Sequence, residues 1–256
     1  MRAGRLLAVS LAALSLAGCR ERGPLTLNVF AAASLAKAGA ELAEVYQSEH
    51  PAVRVAGNYA GTQQLRAQIE SGAPADVLLS ASVDDAQALA AAGLMQPPRP
   101  FVGNTLVLAA SLKSDRVRCF QDALRPGVRL VVCAAAVPAG KYTQKAFEAL
   151  TQAGQAETVK ALKGNIVSEE NDVTAATTKI ALGEADAGFV YHTDVQAARL
   201  IAIDLPKPMA IRAKYTCAVA AHSSHGVDAA AFVTWLGGSE ARSILRHYGF
   251  DTDYEP

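Results

Sequence analysis

Four short loops in the sequence each lead into a predicted helix, and each could present hydrogen-bond donors to a small ligand. Ser34 begins one of these helices, and Thr62 is the predicted N-cap of the second. The VPAG segment at residues 137–140 and the pair Asp172-Val173 begin the others. The first N–H groups of a helix have no partner inside it and lie at the positive end of its dipole. Helix N-termini therefore bind anions. These residue types indicate an anion site built from neutral donors.

Taken singly, each of these loops is more often an ordinary helix cap, because every helix must satisfy its first N–H groups. The case for one shared site depends on the strands that precede them. Alternating apolar residues from Leu25 to Val29 and short apolar runs at 53–56, 76–80, 128–133, 165–167, 187–191 and 211–220 predict strands. In doubly wound α/β sheets, the loops at the carboxyl ends of parallel strands gather where ligands bind.

Helices are predicted between most of these strands, and the alternation indicates parallel sheets with right-handed crossovers. Their predicted ranges are 34–49, 62–72, 83–92, 141–153, 154–162, 173–182, 228–236 and 240–247. A long apolar run at 101–110 and a polar loop at 168–172 complete the pattern. Two series of strands and helices predict two doubly wound lobes, residues 25–104 plus 205–256 and residues 105–204. They would be joined by two crossover segments, near 105–107 and 201–205.

Residues 1–19 have the pattern of an export signal. Arg2 and Arg5 precede an apolar stretch that is too short to span a bilayer, and Leu16-Ala17-Gly18-Cys19 ends it. This tetrapeptide resembles the bacterial lipobox, whose cysteine is lipidated and becomes the new N-terminus. Cleavage by the ordinary signal peptidase is the alternative. Either way we expect a protein that works outside the cytoplasm, with residues 20–24 as a short tether.

The length and the net charge of the chain limit the functions that it can have. At 256 residues the chain is long enough for two cores, and its formal net charge is zero. A neutral chain lacks the basic footprint of nucleic-acid binding.

The three remaining cysteines, Cys119, Cys133 and Cys217, match no zinc-binding spacing. The last two lie in apolar runs, which favours buried free thiols. A disulfide between Cys119 and Cys133 remains open in an oxidising compartment.

Three other patterns are weaker than they look. Residues 138–141 suggest a phosphate loop, but Ala135 replaces its first glycine and Tyr142 its final Ser or Thr. His222 and His225 are close, yet no third ligand is nearby, which favours a solvated loop over a metal site. Ser34 lacks the nucleophile elbow of a hydrolase.

The motifs taken in order resemble those of the periplasmic molybdate-binding proteins of ABC transporters. The resemblance rests on FAAASL, QLRAQIESGAPAD followed by SAS, VPAGKYTQKA, GEADAGFVYHTD and the closing RHYGF, and it spans residues 25–250. It implies the two-lobed periplasmic-binding-protein fold, with a tetrahedral oxyanion held between the lobes by hydrogen bonds rather than by opposite charges.

The resemblance also implies which residues bind the ion. Ser34 and Thr62 would donate hydroxyl and backbone N–H groups from one lobe. Ala139 and Val173 would donate backbone N–H groups from the other, and Tyr191 its phenol. Thr62 stands where the family has serine, and its methyl group takes space and restricts the rotamer. Lys141 is expected to point away from the ion.

The implied function is the capture of molybdate or tungstate outside the cytoplasm and its delivery to a membrane permease. We expect a monomer that needs no cofactor and touches the membrane only through a lipid on Cys19. Two alternatives remain: a protein that binds sulfate or another small oxyanion, and an enzyme on the same two-lobed fold.

Overall fold

The computed structural model describes residues 24–253, with β-strands and α-helices alternating along most of the chain. The strands are β1 (Leu25–Ala32), β2 (Val53–Ala60), β3 (Val77–Ser80), β4 (Arg99–Ala110), β5 (Leu130–Cys133), β6 (Ile166–Glu170), β7 (Ala187–Tyr191), β8 (Ile201–Ile203) and β9 (Arg212–Val219). The helices are α1 (Ala36–Glu49), α2 (Thr62–Glu70), α3 (Val83–Ala91), α4 (Pro138–Gln152), α5 (Ala156–Gly164), α6 (Val173–Leu182), α7 (His192–Ala198), α8 (Gly226–Trp235) and α9 (Ser239–His247).

The strands follow one path, β2-β1-β3-β9-β4-β7-β5-β6, and β8 pairs with β4. Strands β1, β2 and β3 are parallel to one another, and so are β5, β6 and β7. Three antiparallel pairings, β3 with β9, β9 with β4, and β4 with β7, connect the two sets. An odd number of reversals makes the two parallel sets run in opposite directions.

Strand β4 belongs to both halves of this path. Its residues up to Thr105 pair with β9, and those from Leu106 onward pair with β7 and β8. The partner changes inside the segment predicted as the first crossover, and β8 lies in the segment predicted as the second. The apolar run at 101–110 is thus an antiparallel strand rather than a further parallel one. Periodicity identifies such a strand but not its direction.

Two other expectations need correction. Residues 168–170 were expected in a polar loop, but β6 continues through them to Glu170, because they pair with residues 131–133 of β5. Helix α7, which follows β7 directly, was not predicted. Residues 1–23, which include the predicted signal segment, Cys19 and most of the tether, lie outside the described residues. No helix between residues 24 and 253 is long and apolar enough to cross a membrane.

The core is formed by both faces of the strands. One buried cluster joins β1, β3 and β9 to α1, α8 and α9, and a second joins β4, β5 and β7 to α4 and α5. Cys133 and Cys217 are buried free thiols, as predicted, and Cys119 is an exposed free thiol, so Cys119 and Cys133 form no disulfide.

The start of α4 is packed closely against the end of β5. A Cβ added to Gly140 would lie 2.0 Å from the Ala134 carbonyl oxygen and 2.5 Å from that of Cys133. Neither backbone atom can move without displacing the loop that carries Ala139. Gly140 therefore permits the close approach of this helix to the sheet.

We predict that Gly140→Ala lowers the free energy of unfolding by about 1–3 kcal/mol, the usual cost of overpacking. Gly164→Ala is the matched control, because no atom lies within 4 Å of its added Cβ. Alanine also has the higher helix propensity, so the control should be neutral or slightly stabilising. Denaturant unfolding measures both. Equal stability of the two variants would contradict this account of the loop.

Candidate functional site

One cavity lies where the carboxyl ends of the two parallel sets face each other. Its lining residues follow the ends of six strands, β1, β2, β3, β5, β6 and β7. They are Ala32, Ala33, Ser34, Gly61, Thr62, Ala81, Val137, Pro138, Ala139, Val173 and Tyr191. All five predicted binding residues are among them. Its volume is about 10 Å³, on the scale of a water-sized group.

The cavity is uncharged. Of the side chains between residues 24 and 253, those that line it carry no formal charge. Lys141, the nearest lysine in sequence to the VPAG segment, is not a lining residue. Its ammonium lies 3.4 Å from Asp85 Oδ2, so it points away from the cavity, as predicted.

Tyr191 ends β7 and places its phenol at the cavity. Its side chain is buried, and its hydroxyl has no hydrogen-bond partner among the described residues. Burial raises the pKa of Tyr191 well above its usual value, and neighbouring Tyr215 and Tyr142 raise it further. The hydroxyl thus stays protonated. A buried hydroxyl without a partner is costly, so this one is suited to donate to a ligand.

Thr62 is also oriented as a donor, although not in the role expected for it. It was predicted to be the N-cap of α2, but Gly61 is the N-cap and Thr62 is the first helical residue. The Gly61 N–H donates to the Gln64 side chain, at 3.1 Å. The Thr62 hydroxyl oxygen instead accepts from the Ala81 N–H, at 3.2 Å. Because the oxygen is the acceptor in that bond, the Thr62 hydrogen is not used in it and remains available to the cavity.

The backbone donors come from two helix starts. Ala139 is the second residue of α4 after Pro138, and Val173 is the first residue of α6. Their N–H groups belong to the first turn, where no intrahelical acceptor exists. The Asp172 carboxylate accepts from the Ala175 N–H at 2.8 Å. It therefore caps α6.

Ser34 lies in a 3-10 turn, Ala33–Leu35, between β1 and α1. Its Oγ is 2.7 Å from the hydroxyl of Tyr215, on β9. Tyr215 is fully buried and does not line the cavity. It packs behind the site, with its ring centroid 5.9 Å from that of Tyr191.

Contacts between the two sets of strand ends surround the cavity. The Gln63 amide donates to the Asn171 carbonyl at 2.8 Å, and the Lys37 ammonium donates to the Ala197 carbonyl at 2.5 Å. With the contact between Lys141 and Asp85, these bonds hold the loops together without touching the cavity centre. They are suited to stabilise a closed form.

Asp194 positions Tyr191 and was not identified from the sequence. Its buried carboxylate accepts from the Tyr191 N–H, at 3.1 Å, at the start of α7. An acidic residue three positions after a strand end is a signature of a helix N-terminus, and this spacing could have revealed α7.

The remaining candidates do not form a second site. The His225 ring lies 3.4 Å from Asp76. Within residues 24–253, no group of three His, Cys, Asp or Glu side chains is placed to hold a metal ion. Cys133, near the VPAG loop, is buried, and burial raises the pKa of its thiol. That makes it a poor nucleophile for attaching a cofactor.

Residues 27–251 match the model of a family described as bacterial extracellular solute-binding proteins. The chain belongs to this family. The match confirms the resemblance found in the sequence, the two-lobed α/β fold and a solute-binding role outside the cytoplasm.

Several relatives and solved structures carry the name of a ligand. The molybdate-binding protein ModA of Mycobacterium tuberculosis is 34% identical over 233 residues, covering 90% of this chain and 85% of that protein. The substrate-binding domain of a molybdenum ABC transporter from Clostridium difficile, itself described as putative, is 29% identical, with a TM-score of 0.67. That match covers 89% of this chain and 98% of that one. A sulfate-binding protein of M. tuberculosis shares the fold, with a TM-score of 0.78, 18% identity and coverage of 88% and 86%.

We predict a pH dependence of stability from Asp194. Burial raises the pKa of Asp194 to about 7, the Tyr191 N–H opposes the shift, and the charge of Asp172 adds to it. An unfolded aspartate has a pKa of about 3.9. The folded protein therefore holds the extra proton between about pH 4 and pH 7, and this group's contribution to stability falls as pH rises through that window.

Asp194→Asn isolates this group, because the amide oxygen can still accept from the Tyr191 N–H but cannot ionise. Unfolding free energies at pH 5 and pH 8 should show the wild type losing stability relative to the variant at the higher pH. A difference that stays constant between the two pH values would contradict the shifted pKa.

Proposed function

We propose that this protein captures molybdate or tungstate in the cavity between its two lobes and delivers it to the permease of an ABC transporter. The observation that carries the proposal is the buried, unpartnered hydroxyl of Tyr191 in an uncharged cavity formed by helix N-termini. The names of the relatives supply the ligand class. The catalytic alternative is not supported by any comparable feature of the cavity.

Each binding residue has a distinct role in this proposal. Ser34 and Thr62 donate hydroxyl and N–H groups from the first lobe. Ala139 and Val173 donate backbone N–H groups, and Tyr191 donates its phenol, from the second lobe. The ion therefore bridges the lobes, residues 25–104 plus 205–256 and residues 105–204. Because it contacts both, binding favours the closed form over an open one.

Neutral donors suffice energetically. A hydrogen bond to a charged oxygen contributes roughly 1.5–3 kcal/mol net. Half a dozen such bonds can offset desolvation and lobe closure and still leave about 8 kcal/mol, which corresponds to micromolar affinity. A lysine in the cavity would add attraction that depends little on the size of the ion.

Selectivity among oxyanions follows from the direction and from the length of the hydrogen bonds. Hydrogen phosphate carries an O–H that needs an acceptor, and a site whose N–H and hydroxyl groups all donate to the ion would leave it unpaired. Sulfate has no such hydrogen but is smaller than molybdate, so donors set for longer metal to oxygen bonds leave it with stretched hydrogen bonds. Molybdate and tungstate are nearly the same size and should be hard to separate.

We also propose that the protein is held at the membrane by a lipid on Cys19, the last residue of the LAGC tetrapeptide, and functions as a monomer. Residues 20–24 would then connect the lipid to β1. This arrangement would keep the cavity close to the permease.

Titration calorimetry with molybdate, tungstate and sulfate tests the ligand and the site together. We expect micromolar or tighter binding of the first two anions and little heat with sulfate. Ser34→Ala and Tyr191→Phe should each weaken molybdate binding by about tenfold or more, since each removes one bond to a charged oxygen. Thr62→Ser, which keeps the hydroxyl, should bind nearly as well as the wild type.

Lys141→Ala is the control for the neutral mechanism, because this side chain contacts Asp85 outside the cavity. Its affinity should stay within a few-fold of the wild type. A hundredfold loss would overturn the claim of neutral binding. Sulfate that binds as tightly as molybdate would keep the site but change the ligand, and folded, ligand-free protein that binds none of the three would overturn the function.

A further inference from the structure

Behind Ser34 lies a short series of buried hydrogen bonds made by residues that do not themselves line the cavity. Tyr215 contacts the Ser34 hydroxyl, and Asn104, on β4, contacts Tyr215 in turn. Neither Asn104 nor Tyr215 lines the cavity, and both are almost fully buried. Buried polar side chains are costly unless they are hydrogen-bonded, and both of these are.

The direction of these bonds can be assigned from their fixed end. Asn104 Oδ1 accepts from the Thr105 N–H, at 2.9 Å. This bond fixes the amide orientation, so the Asn104 NH₂ group faces Thr193 Oγ1 at 3.0 Å and the Tyr215 hydroxyl at 3.3 Å. An amide NH₂ group only donates. The Tyr215 oxygen is therefore an acceptor in this bond.

The hydrogen of Tyr215 then has one acceptor. Of the atoms that hydrogen-bond to this hydroxyl within residues 24–253, only Ser34 Oγ can accept. Burial raises the pKa of Tyr215 far above its usual value, so the hydrogen is always present. Ser34 Oγ accepts it, and the hydrogen of Ser34 remains free to point into the cavity.

We propose that Asn104 and Tyr215 are positioning residues that fix the Ser34 hydroxyl as a hydrogen-bond donor to the bound oxyanion. The inference rests on the proposed function and deepens it. Thr62 is set in the same way by the Ala81 N–H. The series starts at Thr105, the last residue of β4 that pairs with β9 before β4 pairs with β7. The point at which β4 changes its partner strand therefore fixes the direction in which the Ser34 hydroxyl donates.

A double-mutant cycle tests the proposal by calorimetry with molybdate. Tyr215→Phe alone should weaken binding by about tenfold, although Tyr215 does not touch the ion, because a hydrogen bond to a charged group loses its orientation. In the Ser34→Ala background the same substitution should cost nothing further, since its effect passes through Ser34. Equal losses of affinity in both backgrounds would overturn the proposed positioning role.

Tyr248→Phe is the matched control, because it also removes a phenol hydroxyl, one that donates to Glu41 at 2.8 Å. It should reduce stability to a similar degree and leave affinity unchanged. Thermal unfolding of every variant separates a loss of fold from a loss of binding. An equal loss of affinity in Tyr248→Phe would overturn the proposal by showing a general structural effect.

Asn104→Asp tests the polarity itself. Burial raises the pKa of the introduced carboxyl, so the comparison is made at a pH where it is ionised. The carboxylate then only accepts, so the Tyr215 hydrogen would turn toward it, and Ser34 would have to donate to Tyr215 rather than to the ion. We expect a larger loss than in Tyr215→Phe, and the part that remains in the Ser34→Ala background reports the added charge. If the wild type binds no oxyanion, the proposed function and the positioning role of Asn104 and Tyr215 both fail. If it binds and the losses of affinity are additive in the double mutants, only the positioning role fails.

Discussion

The structure depends on three consecutive antiparallel pairings in an otherwise parallel arrangement. Because β3 with β9, β9 with β4, and β4 with β7 reverse the strand direction three times, the two parallel sets point toward each other. Their carboxyl ends, with the helix N-termini that follow, meet at one cavity. In a single doubly wound sheet these ends lie along one edge. Here they surround a small volume from two sides, so a ligand bound there contacts both lobes.

Binding of an anion in this uncharged cavity would impose a second constraint, on the direction of the hydrogen bonds. Backbone N–H groups can only donate, but a hydroxyl can donate or accept. A hydroxyl that presents a lone pair to an anion repels it, so a bond that the oxygen accepts from behind helps to turn the hydrogen toward the ion. The Ala81 N–H does this for Thr62, and Tyr215 for Ser34. Tyr191 instead keeps an unpaired hydroxyl whose pKa is raised by burial. The packing behind the cavity is therefore part of its chemistry.

The residues that line the cavity could be predicted from the sequence because helix starts are local features. Loop residues such as Ala139 and Val173 are identified by the residues beside them and by the family motifs. The direction of β4 could not be found in this way, because the run at 101–110 is equally apolar in either direction. The prediction that Thr62 is the N-cap of α2 was wrong, and the hydroxyl instead contacts the Ala81 N–H, which is 19 residues away. Asn104 and Tyr215 lie on strands that are far from Ser34 in sequence, and only the fold brings them to it. The donor groups at helix starts can be predicted from the sequence, whereas the residues that orient them are brought close only by the tertiary structure.

The most direct test of this account is a crystal structure of the protein grown with molybdate, with the metal located by its anomalous scattering. We expect one molybdenum atom in the cavity between the strand ends. Its oxygens should lie within hydrogen-bond distance of the Ser34, Thr62 and Tyr191 hydroxyls and of the Ala139 and Val173 N–H groups. No lysine or arginine should contact the ion. A molybdenum atom elsewhere, or an ion held by a cationic side chain, would contradict the neutral interlobe site.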